Sequence, residues 1–513
     1  MVILMVLNLF LAVLSGLLVA FSFPVSLPPF IEKTSFPTLL FLGLVPSLLA
    51  LKRTYLSRQA WLIGFFFGIF FAYVSLYWIS DFGQFPLILL SVYLGFWYGI
   101  LFIFLGIMIR CGSDSVILFI VPLVWTAGEF VSSYGASGFP WLRLAHPLFE
   151  NKPLLQLASV GGELLISYFV LLANTAIFVL FFGKSAFAQR VKAVSLSLAF
   201  LGALYIWGGY AYGQYLRFER ILPTLEVTGI QGGVSSFTQW SARGYYLETK
   251  EAYVNSTLEA IRKEPTSSVY VWPESAIPVA YSLEFPEPIE DIKPIWKEKP
   301  DAVLLQGTFF EDADGNLFNG AMVTDGKTNQ SFTYSKPKPV PYGEFVPLAG
   351  IARFLNYPWG EKDINPGKVL TPMPVNREMA GVGICFDNIF PSVSRAQVRK
   401  GASFLTVLAN NSWYKMPAGV IQHRAIDYFR AVENRRALVR VATTGNSHVI
   451  LPSGRLAAET RLGERTYLTY AVPVNHRFSL YTRVGELVGT LTFLVSSLFV
   501  CVFALKGVSE EIF

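Results

Sequence analysis

The chain has 513 residues, of which 53% are hydrophobic, 15% aromatic and only 15% charged, with a formal net charge of +6. Ordinary soluble proteins carry about a quarter of their residues as charges, so the composition excludes a simple soluble enzyme. The small positive balance gathers at the ends of apolar runs, the mark of membrane topology, and gives no sign of a nucleic-acid partner.

A bilayer core needs about 20 apolar residues per helix. Eight segments are candidates, at 3–22, 36–51, 59–80, 86–109, 115–132, 163–183, 193–211 and 487–505. The second is short and holds Pro46, and the fifth holds Pro122 and Glu129. The first lacks a basic leader and a small-residue cleavage site, so it reads as a retained helix and not as a signal peptide. With the N-terminus inside, the cytoplasmic loops carry Lys52, Arg53, Arg58, Arg110, Lys184, Arg190, Lys192 and Lys506. The short outer loops then carry only Lys33, Arg143 and Lys152, as the distribution of Lys and Arg across membranes requires. The expected organisation is a membrane domain of seven helices over 1–216, an outer domain over 217–480, and a last span with a short cytoplasmic tail over 481–513.

From Leu225 the pattern changes. "TLEVTGIQG" and "SVYVWPES" read as strands, with "YYLETKEAYVNSTLEAIRK" a helix between them. "AVLLQGTFF", "NGAMVTDGK", "MAGVGIC" and "SFLTVLANN" follow as strands, with a helix through "SVSRAQVRKGA". Strand, helix and strand in succession predict an α/β sheet, whose chemistry collects beyond the strand ends. Three residues stand there: Glu274 after "VYVWP", Lys336 after "SFTYS" and Cys385 at the end of "GVGIC".

Of the three cysteines, Cys111 and Cys501 fall at or within spans, so Cys385 is the only thiol of the outer domain and has no disulfide partner there. A lone strand cysteine is ordinarily an inert core residue. A carboxylate and an ammonium in the same domain change that reading. The carboxylate takes the thiol proton, since the thiolate is the nucleophile, and the ammonium lowers the thiol pKa and stabilises an oxyanion with the help of backbone N–H groups. Singly, Glu274 also reads as a charge at a helix N-terminus and Lys336 as an exposed strand-end lysine.

The order "WPES" (272–275), "YSKPKPVPYGEFVP" (334–347) and "GICFDNIF" (383–390) resembles the nitrilase superfamily. The eight-span frame, "SGFPWLRLAH" (137–146), "NNSWY" (410–414) and "QHRAIDYFRAVENRRALVRVATTGNS" (422–447) make the chain similar, over nearly its whole length, to the apolipoprotein N-acyltransferase family. That resemblance implies an αββα sandwich beside the membrane helices. It also implies a triad of Glu274 as general base, Lys336 as electrostatic stabiliser and Cys385 as nucleophile. It assigns Glu344 the task of holding Lys336 and the reacting centre, places Trp240 and Trp413 near the acyl site with Asn410 in support, and puts Arg353 in a mobile lid. After the cysteine the family usually has Tyr and Glu, whereas this chain has Phe386 and Asp387.

The implied reaction moves a fatty acyl group from a phospholipid such as phosphatidylethanolamine, through a thioester, to the N-terminal amine of a diacylglyceryl apolipoprotein. The implied setting is a bacterial inner membrane, with the catalytic domain periplasmic, both termini cytoplasmic, and the protein a monomer. No cofactor is implied, and the four histidines give no zinc-type spacing. On the outer loop Trp141 and Phe139 suit a membrane interface, and Arg143 and His146 are candidates either for lipid phosphate or for anchoring the loop. Glu129 reads as a structural partner in the helix bundle, His423 beside Arg424 as the opening of an amphipathic helix, and Glu433 as the partner of Arg435 or Arg436. Two alternatives stay open: a membrane-tethered nitrilase-type amidase with water as acceptor, and a transporter with an accessory outer domain.

Overall fold

The structure, a computed structural model, describes residues 2–135, 138–234, 242–281, 287–341, 343–345 and 364–511. It divides into two compact units. One comprises Met1–Tyr212, Tyr414–Phe429 and Val484–Phe513, and the other comprises Gly213–Trp413 and Arg430–Arg483.

The first unit is helical. Among the described residues, six helices are long and apolar enough to cross a bilayer: Ile3–Ala20, Ser57–Ser75, Gln84–Cys111, Asp114–Val131, Glu163–Phe182 and Phe187–Ile221. The other two expected spans are shorter apolar helical stretches, Pro37–Lys52 and Leu487–Phe503. The first of these is broken into a 3-10 turn, Pro37–Phe41, and an eight-residue helix, Val45–Lys52. Pro46 has no N–H to give and is tolerated only in a first turn, so the helix restarts there instead of running through. Asn174 closes the break. Its amide donates to Leu40 O (2.9 Å) and its Oδ1 accepts from Leu44 N (3.0 Å).

Pro122 lies inside Asp114–Val131 and leaves the carbonyl four residues earlier without its helical donor. Thr175 brings its hydroxyl to that vacancy, 3.0 Å from Leu118 O and 3.0 Å from Leu171 O of its own helix, which share its one proton. In a bilayer every such group must be satisfied within the protein, so one threonine makes an interior proline compatible with a span.

The second unit is an α/β sandwich. Among its described residues, one sheet has the order Thr466–Pro473, Thr224–Gln231, Val269–Val271, Val303–Glu311, Leu317–Asp325 and Ser331–Ser335, with Ile277–Tyr281 also paired to Val303–Glu311. Its Thr224–Gln231, Val269–Val271 and Val303–Glu311 strands run parallel. The other has the order Leu456–Glu459, His448–Ile450, Leu438–Ala442, Phe404–Ala409, Glu378–Ile384 and Met373–Val375, with three parallel strands at its centre.

The sheets pack face to face. Val227, Val271 and Leu305 of the first share one buried cluster with Val382, Leu408 and Val441 of the second. The outer face of the first sheet buries Tyr270, Trp272 and Leu304 against Tyr253 and Ala260 of the helix Ala242–Lys263 and Ile292 and Ile295 of the helix Glu287–Glu298. The strands predicted from Leu225 to Asn410 all form. A strand buried on both faces reads as a continuous apolar run, as "FLTVLA" does.

Candidate active site

The parallel strands end together. The register pairs Ile384 with Leu408 and Ala409 with Ala442, so Cys385, Asn410 and Thr443 leave one edge of the sheet side by side. In the other sheet Glu274 follows Val269–Val271, and Lys336 follows Ser331–Ser335. Glu274, Lys336 and Cys385, separated by scores of residues in the chain, are thereby brought into one electrostatically coupled cluster.

Local backbone geometry fixes each of them. Glu274 is carried across the strand Val303–Glu311 at Gly307, where any Cβ would lie 2.4 Å from Pro273 O and 2.5 Å from Glu274 Cα. Only glycine permits that approach. Lys336 is pinned through both backbone groups, its N–H donating to Asn319 O (2.9 Å) and its carbonyl accepting from Gly367 N (2.8 Å). Cys385 opens a tight turn, Cys385–Ile389, with φ +47°, a left-handed conformation that a non-glycine residue adopts only where its surroundings impose it.

The Lys336 ammonium is 1% exposed and lies between two carboxylates, 3.2 Å from Glu274 Oε1 and 3.0 Å from Glu344 Oε2. Burial alone would discharge it, but Glu274, Glu344, Cys385 and Asp387 hold its pKa well above the usual lysine range. Glu274 Oε2 accepts from Asn410 N at 3.0 Å, and Glu344 Oε2 accepts from Val340 N at 2.6 Å. Asn410 supports the site through its backbone. Its side-chain carbonyl accepts from Ser412 Oγ (2.5 Å) and Thr443 Oγ1 (2.9 Å), which sets the loop so that the N–H faces Glu274.

Cys385 is partly exposed, the only one of the triad to be so. Burial of its surroundings pushes the thiol up, Glu274 and Glu344 add to that, and Lys336 and Arg440 oppose it. The resting group is therefore a thiol, and the thiolate has to be made by transferring the proton to a base beside it. Arg440, 1% exposed in the strand Leu438–Ala442, is a second cation acting on the sulfur that sequence reasoning missed. The signal was there: an arginine in the middle of "LVRVA", otherwise wholly apolar. Asn319 was missed as well, and its amide reaches Glu274 Oε1 (2.8 Å) and Glu344 Oε1 (2.5 Å).

The two residues after the cysteine have defined places. Phe386 packs its ring on Phe390 with centroids 5.5 Å apart. Asp387 is fully buried and accepts from Lys338 N (2.9 Å) and Ile384 N (3.3 Å), tying the Lys336 segment to the cysteine turn. Burial pushes its carboxyl up, against the pull of Lys336 and those two N–H groups. Trp413 ends the short turn Asn411–Trp413, while Trp240 and Arg353 lie outside the described residues.

In the helical unit, Arg143 and His146 are buried and share a partner. Arg143 pairs with Glu163 and donates to Ser133 Oγ. His146 places Nε2 2.9 Å from Glu163 Oε2 and Nδ1 2.8 Å from Trp141 O. Trp141 donates its indole N–H to Gln422 Oε1 at 2.9 Å, an acceptor it shares with Trp78. Glu129 accepts from Trp125 Nε1 and Leu144 N, both at 3.0 Å, which is the structural part expected of it. His423 is 0% exposed, lies inside the helix Pro417–Asn434 and not at its opening, and packs on Trp141 with ring centroids 5.2 Å apart. In the other unit Glu433 pairs with Arg430 at 3.3 Å. Arg435 and Arg436 donate to backbone carbonyls, of Pro452 and Ala402.

Known proteins resemble this chain in both units. Residues 15–176 match the family described as the apolipoprotein N-acyltransferase N-terminal domain, and residues 230–477 match carbon-nitrogen hydrolase. An apolipoprotein N-acyltransferase of Geobacter metallireducens is 29% identical over 487 residues, covering 93% of this chain and 91% of that protein. One of Chlorobaculum tepidum is 27% identical, covering 93% of each. One of Haemophilus influenzae is 28% identical, covering 93% of this chain and 91% of that protein.

Proposed function

The chain belongs to the apolipoprotein N-acyltransferase family, and from that premise we propose how its own residues carry out lipoprotein N-acylation. The observation that carries the proposal is a partly exposed thiol at a strand end, coupled to a buried ammonium that two carboxylates hold.

Glu274 takes the proton of Cys385, and the thiolate attacks the ester carbonyl of a glycerophospholipid such as phosphatidylethanolamine. A C–S bond forms, and Lys336 with a backbone N–H stabilises the oxyanion. The tetrahedral species collapses with cleavage of the acyl C–O bond, and the proton held on Glu274 passes to the leaving lysophospholipid. The α-amine of a diacylglyceryl-cysteine then attacks the thioester. The C–N bond forms, the C–S bond breaks, and the amine proton returns to the sulfur by way of Glu274. This is a two-step, ping-pong exchange.

Glu344 keeps the ammonium in place, and Asp387 with Phe386 holds the turn that presents the sulfur. Trp240, Trp413 and Arg353 enter as contacts of the acyl chain and the lid. Trp141, Arg143 and His146 enter as anchors of the outer loop, because Glu163 and Gln422 already occupy their polar atoms. The setting is the inner membrane, with eight spans, both termini cytoplasmic, the sandwich periplasmic and the protein a monomer. Both substrates carry acyl chains, and extracting them into water costs about 0.8 kcal/mol per CH₂, so a membrane-bound site lowers the barrier to meeting them.

The deciding experiment is mass spectrometry of the full chain after incubation with phospholipid and no acceptor. An acyl mass on Cys385, released by a diacylglyceryl peptide as its amide, is the expected result. Cys385→Ser and Cys385→Ala abolish both. An N-acylating Cys385→Ala enzyme overturns the mechanism, and release of free fatty acid in place of peptide amide establishes a hydrolase.

A further inference from the structure

We propose that Asn319 is a positioning residue of this site, its single amide nitrogen bridging the two carboxylates that flank Lys336 so that the ammonium keeps a proton for the reacting centre. The inference rests on the function proposed above and extends it to a residue outside the triad.

Asn319 sits three residues into the strand Leu317–Asp325 and is 2% exposed. Its backbone carbonyl accepts from Lys336 N (2.9 Å), so the two residues are cross-strand neighbours that reach the same targets. Asn319 Nδ2 lies 2.8 Å from Glu274 Oε1 and 2.5 Å from Glu344 Oε1, and Lys336 Nζ lies 3.2 Å and 3.1 Å from the same two oxygens. The amide has two hydrogens, one for each carboxylate, and facing two carboxylates it must present nitrogen and not oxygen. Lys336 has three, one directed to Glu274 and one shared by the two oxygens of Glu344, at 3.1 Å and 3.0 Å. With Asn319 sharing the load, the third hydrogen is available to a sulfur anion or an oxyanion. Glu274 Oε1 takes these two donors and Oε2 only one, the Asn410 N–H, so Oε2 is the oxygen with room to receive a thiol proton.

A second observation favours function over packing. Asn319 Oδ1 is buried and has no hydrogen-bond partner among the described residues. A buried acceptor left unpaired costs stability, so an asparagine serving the fold alone is a poor occupant of this position. The arrangement makes sense if holding two like-charged groups around one lysine is what the residue is for. The other charges acting on the same group are Cys385, Asp387 and Arg440.

The test uses full-length protein and compares Asn319→Ala and Asn319→Asp with the wild type. Acyl transfer from phosphatidylethanolamine to Cys385 is followed by mass from about pH 5 to about pH 9, where an essential base shows as an acid limb. Alkylation of Cys385 by iodoacetamide is followed in parallel, and thermal unfolding reports folding. Removing a donor from Glu274 makes its carboxylate easier to protonate, so Asn319→Ala moves the acid limb to higher pH and slows acylation about 10- to 100-fold. Asn319→Asp, close in shape, adds a third carboxylate and moves the limb further. A uniform loss of rate with an unmoved limb in both variants overturns the proposal. Should Asn319→Ala not fold, the isosteric variant decides. If the wild type alkylates at Cys385 but takes no acyl group, the acyltransferase mechanism fails by itself, and the alkylation limb still judges Asn319.

Discussion

Two buried charge clusters, one in each unit, use the same residue chemistry to opposite ends. Around Glu163, one carboxylate meets Arg143 and His146, whose side chains also bond to Ser133 Oγ and Trp141 O, so the group cross-links its own unit. Around Lys336, one ammonium meets Glu274 and Glu344, with Asp387 and Cys385 acting on it as well. The second cluster has more negative than positive groups in its inner circle and lies at strand ends beside a partly exposed thiol. A buried ion pair is weak evidence of either role. Capacity left for an incoming group is what separates a reactive cluster from a cross-link.

That difference is best broken by deleting one ion from each. Lys336→Met removes the cation that faces the oxyanion and slows Cys385 acylation about 10³-fold, as loss of an oxyanion donor does. It also leaves two carboxylates facing each other, so one takes up a proton in the fold. A carboxylate whose folded pKa is raised gives stability back as pH falls, so the thermal unfolding deficit of Lys336→Met shrinks from neutral pH toward pH of about 5. In the wild type the Lys336 pKa is raised, so its contribution is complete below the unfolded lysine value and is lost only when pH climbs through the folded one.

Glu163→Gln is the counterpart. It leaves Arg143 and His146 buried without their carboxylate and costs about 3 kcal/mol of stability, the toll of breaking a buried pair. Acylation of Cys385 per folded molecule stays within about twofold, below the weight of one ordinary hydrogen bond. Acylation that collapses while the unfolding temperature holds would move Arg143 and His146 from anchoring to substrate binding.

A smaller effect concerns the thiol. Because its pKa is raised, iodoacetamide alkylation of Cys385 in the absence of lipid increases with pH throughout the range where a free cysteine has already levelled off. Arg440→Met removes one of the groups that oppose the shift and slows that alkylation about threefold at neutral pH. A plateau near pH of about 8.5, the ordinary thiol value, would mean that the sulfur is not held as a thiol at rest.

Much of this was legible before any fold was known, and the reasons are physical. Apolar runs and strand patterns are local, so the membrane stretches and the strands through Asn410 follow from neighbours in sequence. Glu274, Lys336 and Cys385 were legible because each ends an element. The segment 36–51 was not, because hydropathy does not register that Pro46 restarts the helix. Glu163 lies 20 residues beyond Arg143, and nothing local joins them. Asn319 opens the run "NGAMVTDGK" and, read locally, is only a polar residue at a strand start. Its purpose exists only once Glu274 and Glu344 have been folded toward it.

The smallest expected effect is at Asp387, where the family usually has glutamate. Its two oxygens accept from Lys338 N and Ile384 N, so the carboxylate spans the Lys336 segment and the cysteine turn on a short arm. Position 387 is fully buried and lies in a turn of five residues, Cys385–Ile389. Asp387→Glu adds one methylene to that packed space while keeping both acceptors, which costs about 1 kcal/mol of overpacking and lowers acylation less than tenfold. Asp387→Asn keeps the size but offers a single acceptor for two N–H donors, and leaves one of them buried and unpaired. It therefore slows acylation more than the longer acid does. If Asp387→Asn were the faster of the two, the charge would be the hindrance and the tether between the segments would be dispensable.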